Sequence, residues 1–131
     1  MTGVIEKIDN IGVAVTDLEV SMEYYKKLGF TFDPPTAYSA VARIGDIALY
    51  VFATTSRKVQ TRRLDMEGNN PGLDHISFWV GDVDVAAAKL GEAGVVIESG
   101  PEDQTWGRRT LTMLDPDGTR IWFLGDLAQA R

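Results

Sequence analysis

The 131-residue chain contains no cysteine and only one histidine, His75. Without cysteine, disulfide bonds and thiolate metal sites are both excluded. A single histidine also excludes a multi-histidine zinc cage and leaves a histidine-based catalytic triad with only one possible base. The catalytic chemistry open to this chain is therefore narrow.

Positive charge and long apolar runs are also scarce. The 19 acidic residues outnumber the 13 basic ones, which gives a formal net charge of −6 at pH 7. Affinity for nucleic acid comes largely from clustered Lys and Arg, so we expect no nucleic-acid partner, whereas a small neutral or cationic partner suits this charge. No apolar run has the length of a signal peptide or a membrane span. We therefore expect a cytoplasmic protein without a membrane partner.

The sequence does contain an internal repeat. Residues 8–17 align without a gap with residues 73–82, and the match continues to Gly29 and Gly94. A duplicated module explains this better than chance, because strand, helix start, apolar stripe and final glycine all agree. The identical pairs are Asp9/Asp74, Ile11/Ile76, Val15/Val80, Asp17/Asp82, Val20/Val85 and Gly29/Gly94.

Each copy predicts a strand, an amphipathic helix and further strands. The helices are expected near 17–28 and 82–93, with Thr16 and Asp82 as N-caps. The polar segment 54–72 ends in turn-forming residues and predicts a linker whose basic side chains face solvent. Strands are predicted at 8–15, 38–44, 47–53, 73–80, 95–98, 109–114 and 119–124.

The two modules, with Thr-Asp-Leu-Glu at 16–19, Tyr-Tyr-Lys-Lys-Leu-Gly-Phe at 24–30, Trp-Gly-Arg-Arg at 106–109 and Asp-Pro-Asp-Gly at 115–118, resemble the vicinal oxygen chelate superfamily. That group includes glyoxalase I, extradiol dioxygenases and the fosfomycin- and bleomycin-resistance proteins. The resemblance implies an α+β fold in which two tandem βαβββ modules form a curved mixed sheet cup with the helices outside. It also implies a homodimer. We expect one domain over 1–131, with module 1 at about 5–55, the linker at 54–72 and module 2 at about 73–125.

Metal-dependent members of this superfamily take ligands from the first strand and a late strand of each module. Of the corresponding residues here, only His75 is a usual ligand, because an indole offers no lone pair and a neutral phenol is a poor donor. Strand alternation is expected to turn Asp9 and Asp74 to the opposite faces. We therefore predict a site without metal or other cofactor. The four corresponding positions are Asn10, Tyr50, His75 and Trp122.

Strand alternation also predicts which side chains line a ligand pocket. Its aromatic rings would suit a planar and possibly cationic ligand, although such rings also pack in cores and subunit interfaces. Arg108 and Arg109 lie on opposite faces of one strand, so only one of them can serve the ligand, and the sequence leaves that choice open. The candidate ligand-binding residues are Asn10, Tyr50, Phe52, His75, Trp79, Trp106, Arg109 and Trp122.

Three functions fit these expectations. The first is a metal-free binding protein that sequesters an aromatic or cationic natural product, such as an antibiotic. The second is a metal-free isomerase, cyclase or hydrolase of a biosynthetic intermediate, with His75 as general base and Tyr50 or Arg109 steadying an oxyanion. The third is a metal-dependent enzyme, similar to a glyoxalase or a dioxygenase, with ligands elsewhere, such as Glu98 or Asp115.

Overall fold

The computed structural model describes residues 3–59 and 61–130, in two compact units with the boundary between Lys58 and Val59. This boundary falls inside the predicted linker at 54–72, and the described residues from Val59 onward group with the second unit. Gln60, within that predicted linker, lies outside the described residues.

The first unit is a four-stranded mixed sheet with one helix. The strand order is β1-β4-β3-β2, with β1 parallel to β4 and the other pairs antiparallel. The elements in chain order are β1 (Ile11–Val15), α1 (Leu18–Leu28), β2 (Thr31–Phe32), β3 (Ser39–Ile44) and β4 (Ile47–Ala53).

The second unit repeats this arrangement. The strand order is β5-β8-β7-β6, again with one parallel pair, β5 and β8, and antiparallel neighbours. A 3-10 turn at Ala128–Ala130 follows the last strand. The elements are β5 (His75–Gly81), α2 (Val83–Glu92), β6 (Ser99–Asp103), β7 (Arg109–Leu114) and β8 (Arg120–Gly125). Two βαβββ units in tandem confirm the predicted α+β fold class.

Alternation along the strands divides each sheet into two faces. In β4, Leu49 and Val51 are fully buried, whereas Tyr50 between them is 42% exposed. In the second unit, Leu111, Met113 and Ile121 are fully buried on one face. Each sheet therefore has one face that holds core side chains, and its other face carries the polar and aromatic candidates discussed below.

The helix ends correct one expectation from the sequence. Asp17, rather than Thr16, caps α1: its backbone is extended, and its carboxylate accepts a hydrogen bond from the backbone N–H of Val20 at 3.1 Å. Asp82 caps α2 as predicted. Gly29 ends α1 with φ of 110°, a conformation that favours glycine.

One strand was predicted at the wrong place, and one short strand was not predicted at all. The apolar run at 95–98 is not a strand, because Val95 is buried and its N–H donates to the Leu90 carbonyl at 2.9 Å, which closes the end of α2. The strand instead covers Ser99–Asp103, whose Gly-Pro sequence is tolerated at a sheet edge. The short strand Thr31–Phe32 was not predicted. The strands at 47–53 and 109–114 match the prediction.

No helix in the described ranges, 3–59 and 61–130, is long and apolar enough to cross a membrane.

Candidate functional site

The open face of the first sheet contains a depression of about 170 Å³. Two of the four positions that correspond to metal ligands, Asn10 and Tyr50, line it together. The Asn10 amide donates a hydrogen bond to the Asp9 carboxylate at 2.9 Å, so the two side chains are in contact. The prediction that Asp9 faces away from Asn10 was therefore wrong. The full lining is Asp9, Asn10, Val41, Arg43, Ala48 and Tyr50.

The aromatic ring in this depression belongs to a stacked pair. The rings of Tyr50 and Phe52 lie 5.6 Å apart at 26°. Their partners on the neighbouring strand β1 are Gly12, which has no side chain, and Ala14, which has only a methyl group, so neither covers the rings. The first unit thus presents a flat aromatic surface beside a carboxylate.

The one basic residue in the depression is already paired. Arg43 donates to both carboxylate oxygens of Asp33, at 2.9 to 3.1 Å. This hydrogen bonding is the main reason that the pKa of Asp33 lies below its usual value and that of Arg43 above its own. The positive charge of Arg43 is therefore balanced by Asp33, which leaves Asp9 as the remaining charge of the depression.

In the second unit, Asp74 and His75 repeat the arrangement of Asp9 and Asn10. Asp74 Oδ1 lies 2.7 Å from His75 Nδ1, and Oδ2 accepts from the Asn69 amide at 2.7 Å. The prediction that Asp74 faces away from His75 was wrong. Asp74 precedes β5, which begins at His75, so the alternation of a strand does not govern it.

The contact between Asp74 and His75 selects which nitrogen of the neutral imidazole ring carries the proton. The hydrogen bond with His75 is the largest cause of a lowered pKa of Asp74, with a smaller contribution from Asn69, and burial partly opposes both. An ionised carboxylate only accepts hydrogen bonds, so His75 Nδ1 carries the proton. In the neutral ring, Nε2 then bears the lone pair, and within the described residues no side chain or backbone group bonds to it.

Trp122 lies next to His75 on the same face of the sheet. The two ring centroids are 5.3 Å apart, with the planes tilted by 38°. Trp122 is only 9% exposed, and its indole nitrogen is buried without an acceptor in the part of the chain that the structure describes. The two corresponding metal-ligand positions of this unit therefore hold one available lone pair and one unpaired N–H donor.

A buried ion pair, which the sequence did not indicate, supports this face. Arg120 is 5% exposed and donates to both carboxylate oxygens of Glu98, at 2.8 and 2.7 Å. Thr112 donates to the same carboxylate at 2.9 Å. The hydrogen bond from Arg120 is the largest cause of the lowered pKa of Glu98. Glu98 is therefore engaged by Arg120 and Thr112 and is not available as a metal ligand.

Part of the predicted linker also belongs to this network. Arg120 donates to the backbone carbonyl of Arg62 at 2.9 Å, and the guanidinium of Arg62 donates to the Asn70 carbonyl at 2.6 Å. The side chain of Arg62 is 9% exposed and lies 3.8 Å from Asp74. The expectation that the linker arginines all face solvent was therefore wrong for Arg62.

The choice between the two adjacent arginines can be made from the structure. Arg109 shares the core face with Leu111 and Met113, and its guanidinium pairs with Asp84 and Asp103 at 3.0 and 3.1 Å. Arg108 instead lies over the ring of Trp79, with its guanidinium carbon 5.2 Å from the ring centroid. Arg109, predicted to bind ligand, is thus not brought together with His75 and Trp122.

The two remaining tryptophans are exposed. Trp79 is 58% exposed on β5, and Trp106 is 56% exposed in the turn before β7. Trp79 follows His75 and Ser77 on the open face, as alternation predicts. Trp106 is in none of the ring contacts found among the described residues.

The donor set does not suit a divalent transition metal. Such an ion needs about three oxygen, nitrogen or sulfur donors from the protein. Nowhere in ranges 3–59 and 61–130 do three or more His, Asp or Glu side chains gather closely enough to hold one. Asp115, the other carboxylate considered, accepts from the backbone N–H groups of Asp117 and Thr119 in the last hairpin.

Comparison with known proteins identifies the class of fold and then the family. The fold is similar to that of a glyoxalase family protein from Enterococcus faecalis, with 20% identity, a TM-score of 0.76 and coverage of 91% of this chain and 97% of that one. The model of the Glyoxalase/Bleomycin resistance protein/Dioxygenase superfamily matches residues 7–123. The chain belongs to this superfamily, which confirms the resemblance noted from the sequence.

Two further structures have a similar fold. A genomically encoded fosfomycin resistance protein from Listeria monocytogenes has 16% identity and a TM-score of 0.75, with coverage of 98% of this chain and 99% of that one. A hypothetical protein from S. aureus has 24% identity and a TM-score of 0.71, with coverage of 94% and 95%. No curated protein sequence matches the chain. At such low sequence identity, the structural similarity shows a shared fold only. The function has to be argued from the residues of the site.

Proposed function

We propose that this chain is a metal-free binding protein that sequesters a planar, aromatic and cationic small molecule. The observation that carries the proposal is the depression of the first unit, where the exposed ring of Tyr50 lies beside the carboxylate of Asp9. A flat cation is attracted by an aromatic face and by a nearby negative charge. Both features are present, and small neighbours on β1 leave the rings accessible.

The charge of the depression supports a cation as the bound species. Arg43 is balanced by Asp33, so the ion pair adds little net charge at the rim. The Asn10 amide nitrogen donates to Asp9, which leaves the Asn10 amide oxygen to accept an N–H from the ligand. Trp79 is less suited to a cation, because the guanidinium of Arg108 already lies over its ring.

Sequestration without chemistry is supported by the residues at the corresponding metal-ligand positions. Tyr50 and Trp122 stand at two of these positions and are poor metal donors, and Tyr50 also presents an exposed aromatic ring. The fosfomycin resistance protein with a similar fold is an antibiotic-resistance protein by its description, which makes a drug a reasonable ligand class to test first. A homodimer in the cytoplasm is part of this proposal, and light scattering of the purified protein measures the assembly state.

Calorimetric titration with N-methylquinolinium tests the proposal, with neutral quinoline as the matched probe. We expect the cation to bind about tenfold more tightly than quinoline, and Asp9→Asn to reduce that difference. Tyr50→Leu should weaken both probes. Tyr38→Leu is the matched control, since Tyr38 is also exposed on the first unit but does not line the depression. Equal affinity for the two probes in the wild type would overturn the proposal.

A second function is favoured by one specific observation. The 2.7 Å contact of Asp74 with His75 Nδ1 orients the imidazole and leaves Nε2 with its lone pair, which is the arrangement of a general base. On this alternative the chain is a metal-free isomerase, cyclase or hydrolase, in which Arg109 is not the residue that steadies an oxyanion, because its guanidinium pairs with Asp84 and Asp103.

A further inference from the structure

The side-chain amide of Asn69, in the loop before β5, is held in one orientation. Its Oδ1 accepts from the backbone N–H of Arg63 at 2.8 Å, and its Nδ2 donates to the Arg63 carbonyl at 3.0 Å. A backbone N–H only donates and a carbonyl only accepts, so an amide turned by half a rotation would lose both hydrogen bonds. The backbone of Arg63 therefore sets the direction of the second N–H of Asn69.

That second N–H donates to the carboxylate that contacts the imidazole. It reaches Asp74 Oδ2 at 2.7 Å, while Asp74 Oδ1 lies 2.7 Å from His75 Nδ1. The hydrogen bond with His75 is the largest cause of the lowered pKa of Asp74, and the hydrogen bond from Asn69 lowers this pKa further, while burial opposes both. A chain of hydrogen bonds thus runs from the backbone of Arg63 through Asn69 and Asp74 to the ring of His75.

Asp74 also has a competing partner, the guanidinium of Arg62. It lies 3.8 Å from Asp74 Oδ2, on a side chain that is 9% exposed and that donates to the Asn70 carbonyl at 2.6 Å. A charged donor attracts a carboxylate more strongly than a neutral ring N–H does. Without the hydrogen bond from Asn69, the carboxylate would be drawn toward Arg62, and its contact with His75 would weaken.

We propose that Asn69 is a positioning residue, which acts through Asp74 to keep the proton of the neutral His75 ring on Nδ1 and the lone pair on Nε2. The catalytic value of this role rests on the second candidate function, because a general base must present its lone pair to the substrate. Asn69 lies in the predicted linker, outside the positions that correspond to metal ligands. The inference therefore gives a role to a segment that was expected only to join the two modules.

The position of the ring proton is measured directly in long-range ¹H–¹⁵N spectra of the untagged protein, since His75 is the only histidine. The spectra are recorded at about pH 9, where an ordinary imidazole is neutral. In the wild type we expect the proton on Nδ1. Asn69→Ala should lower the ratio of the Nδ1–H form to the Nε2–H form about three- to tenfold. An unchanged ratio in Asn69→Ala, or a wild type with the proton on Nε2, would overturn the inference.

Two more variants show whether the lost N–H donor causes the change. Asn69→Asp keeps the size of the side chain but lacks both N–H donors, so it should also lower the ratio. Asn70→Ala is the matched control, because the exposed Asn70 contributes only its backbone carbonyl to these contacts, and it should keep the wild-type ratio. If neither variant of Asn69 folds, the wild-type spectrum still decides, since a proton on Nε2 there contradicts the proposed role.

Failure of this inference and failure of the second candidate function are separately visible, because the ring proton is observed without a substrate. If His75 is a general base, Asn69→Ala should lower kcat about three- to tenfold and leave KM nearly unchanged, since the lone pair acts in the chemical step. A protein with no activity but a shifted ratio in Asn69→Ala rejects catalysis and supports the positioning role. Normal activity with an unchanged ratio rejects the positioning role alone.

Discussion

Asp74 Oδ1 lies 2.7 Å from His75 Nδ1, and this contact joins neighbouring residues at the start of the edge strand β5. The same relation occurs in the first unit, where the Asn10 amide donates to Asp9 at 2.9 Å. The duplicated module has therefore kept the geometry of the pair while its chemistry differs. One copy presents an amide, and the other presents an oriented imidazole.

The oriented imidazole gives a direct test of catalysis. If His75 is a general base, the protein should accelerate exchange of the α-protons of dihydroxyacetone with D₂O, measured by NMR. His75→Gln should lower this rate by about 10²- to 10⁴-fold. Asp74→Asn should also lower it, because an amide donating to Nδ1 would place the imidazole proton on Nε2.

The same experiment separates the two candidate functions. If the wild type catalyses no exchange, or if His75→Gln exchanges at an unchanged rate, the proposal that His75 is a general base is wrong. The binding proposal would stand, because its test depends on Asp9 and Tyr50.

The stability of the second unit should fall in acid. The pKa of Glu98 lies below its ordinary value of 4.5, chiefly because of the hydrogen bond from Arg120. The stabilisation that ionised Glu98 gives through this hydrogen bond is therefore complete above pH 4.5. It is lost as the pH falls through the lowered pKa of Glu98 in the folded state. Urea unfolding between about pH 6 and pH 2 should show this loss, and Glu98→Gln should flatten it. Glu92→Gln, at the exposed end of α2, is the matched control and should keep the wild-type slope.

The two adjacent arginines should differ in what their removal changes. Arg109→Gln breaks ion pairs to Asp84 and Asp103 and should lower the free energy of unfolding by about 1 kcal/mol. Arg108→Gln should leave stability within about 0.5 kcal/mol of the wild type, because Arg108 is exposed. Its removal uncovers Trp79 and should change the tryptophan emission. The reverse pattern would show that the assignment of the two faces is wrong.

Two glycines should respond in opposite directions to substitution by alanine. Gly91 lies inside α2, and a Cβ there would meet nothing within 4 Å, so Gly91→Ala should stabilise the protein by about 0.5–1 kcal/mol. At Gly125 a Cβ would collide with the backbone carbonyl of Gly81, so Gly125→Ala should destabilise by about 1–3 kcal/mol. Thermal unfolding of the two variants measures both effects. A stabilising Gly125→Ala would contradict the close approach of β5 and β8 at this point.

The candidate site was predictable in part. The corresponding metal-ligand positions and the alternation of β4, β5 and β8 follow from the repeat and the period of a strand, and they placed Tyr50 and Trp79 on open faces. Asp74 was assigned wrongly, because strand alternation was applied to a residue that precedes the strand. Arg109 was placed among the ligand-binding residues because the sequence of a single strand does not reveal which of its two faces packs against the helix.

The sequence by itself determined the tandem βαβββ fold, the superfamily and the narrow set of possible catalysts, because these depend on periodicity, repeats and residue types. Only the tertiary structure decided which polar groups are already used. The pairing of Arg120 with Glu98 joins residues that are 22 positions apart, and that of Arg109 with Asp84 joins residues 25 apart. Chain folding brings such groups together without any local signal. Once they are paired, His75 Nε2 still has no partner on that face among the described residues, so it is available to a ligand.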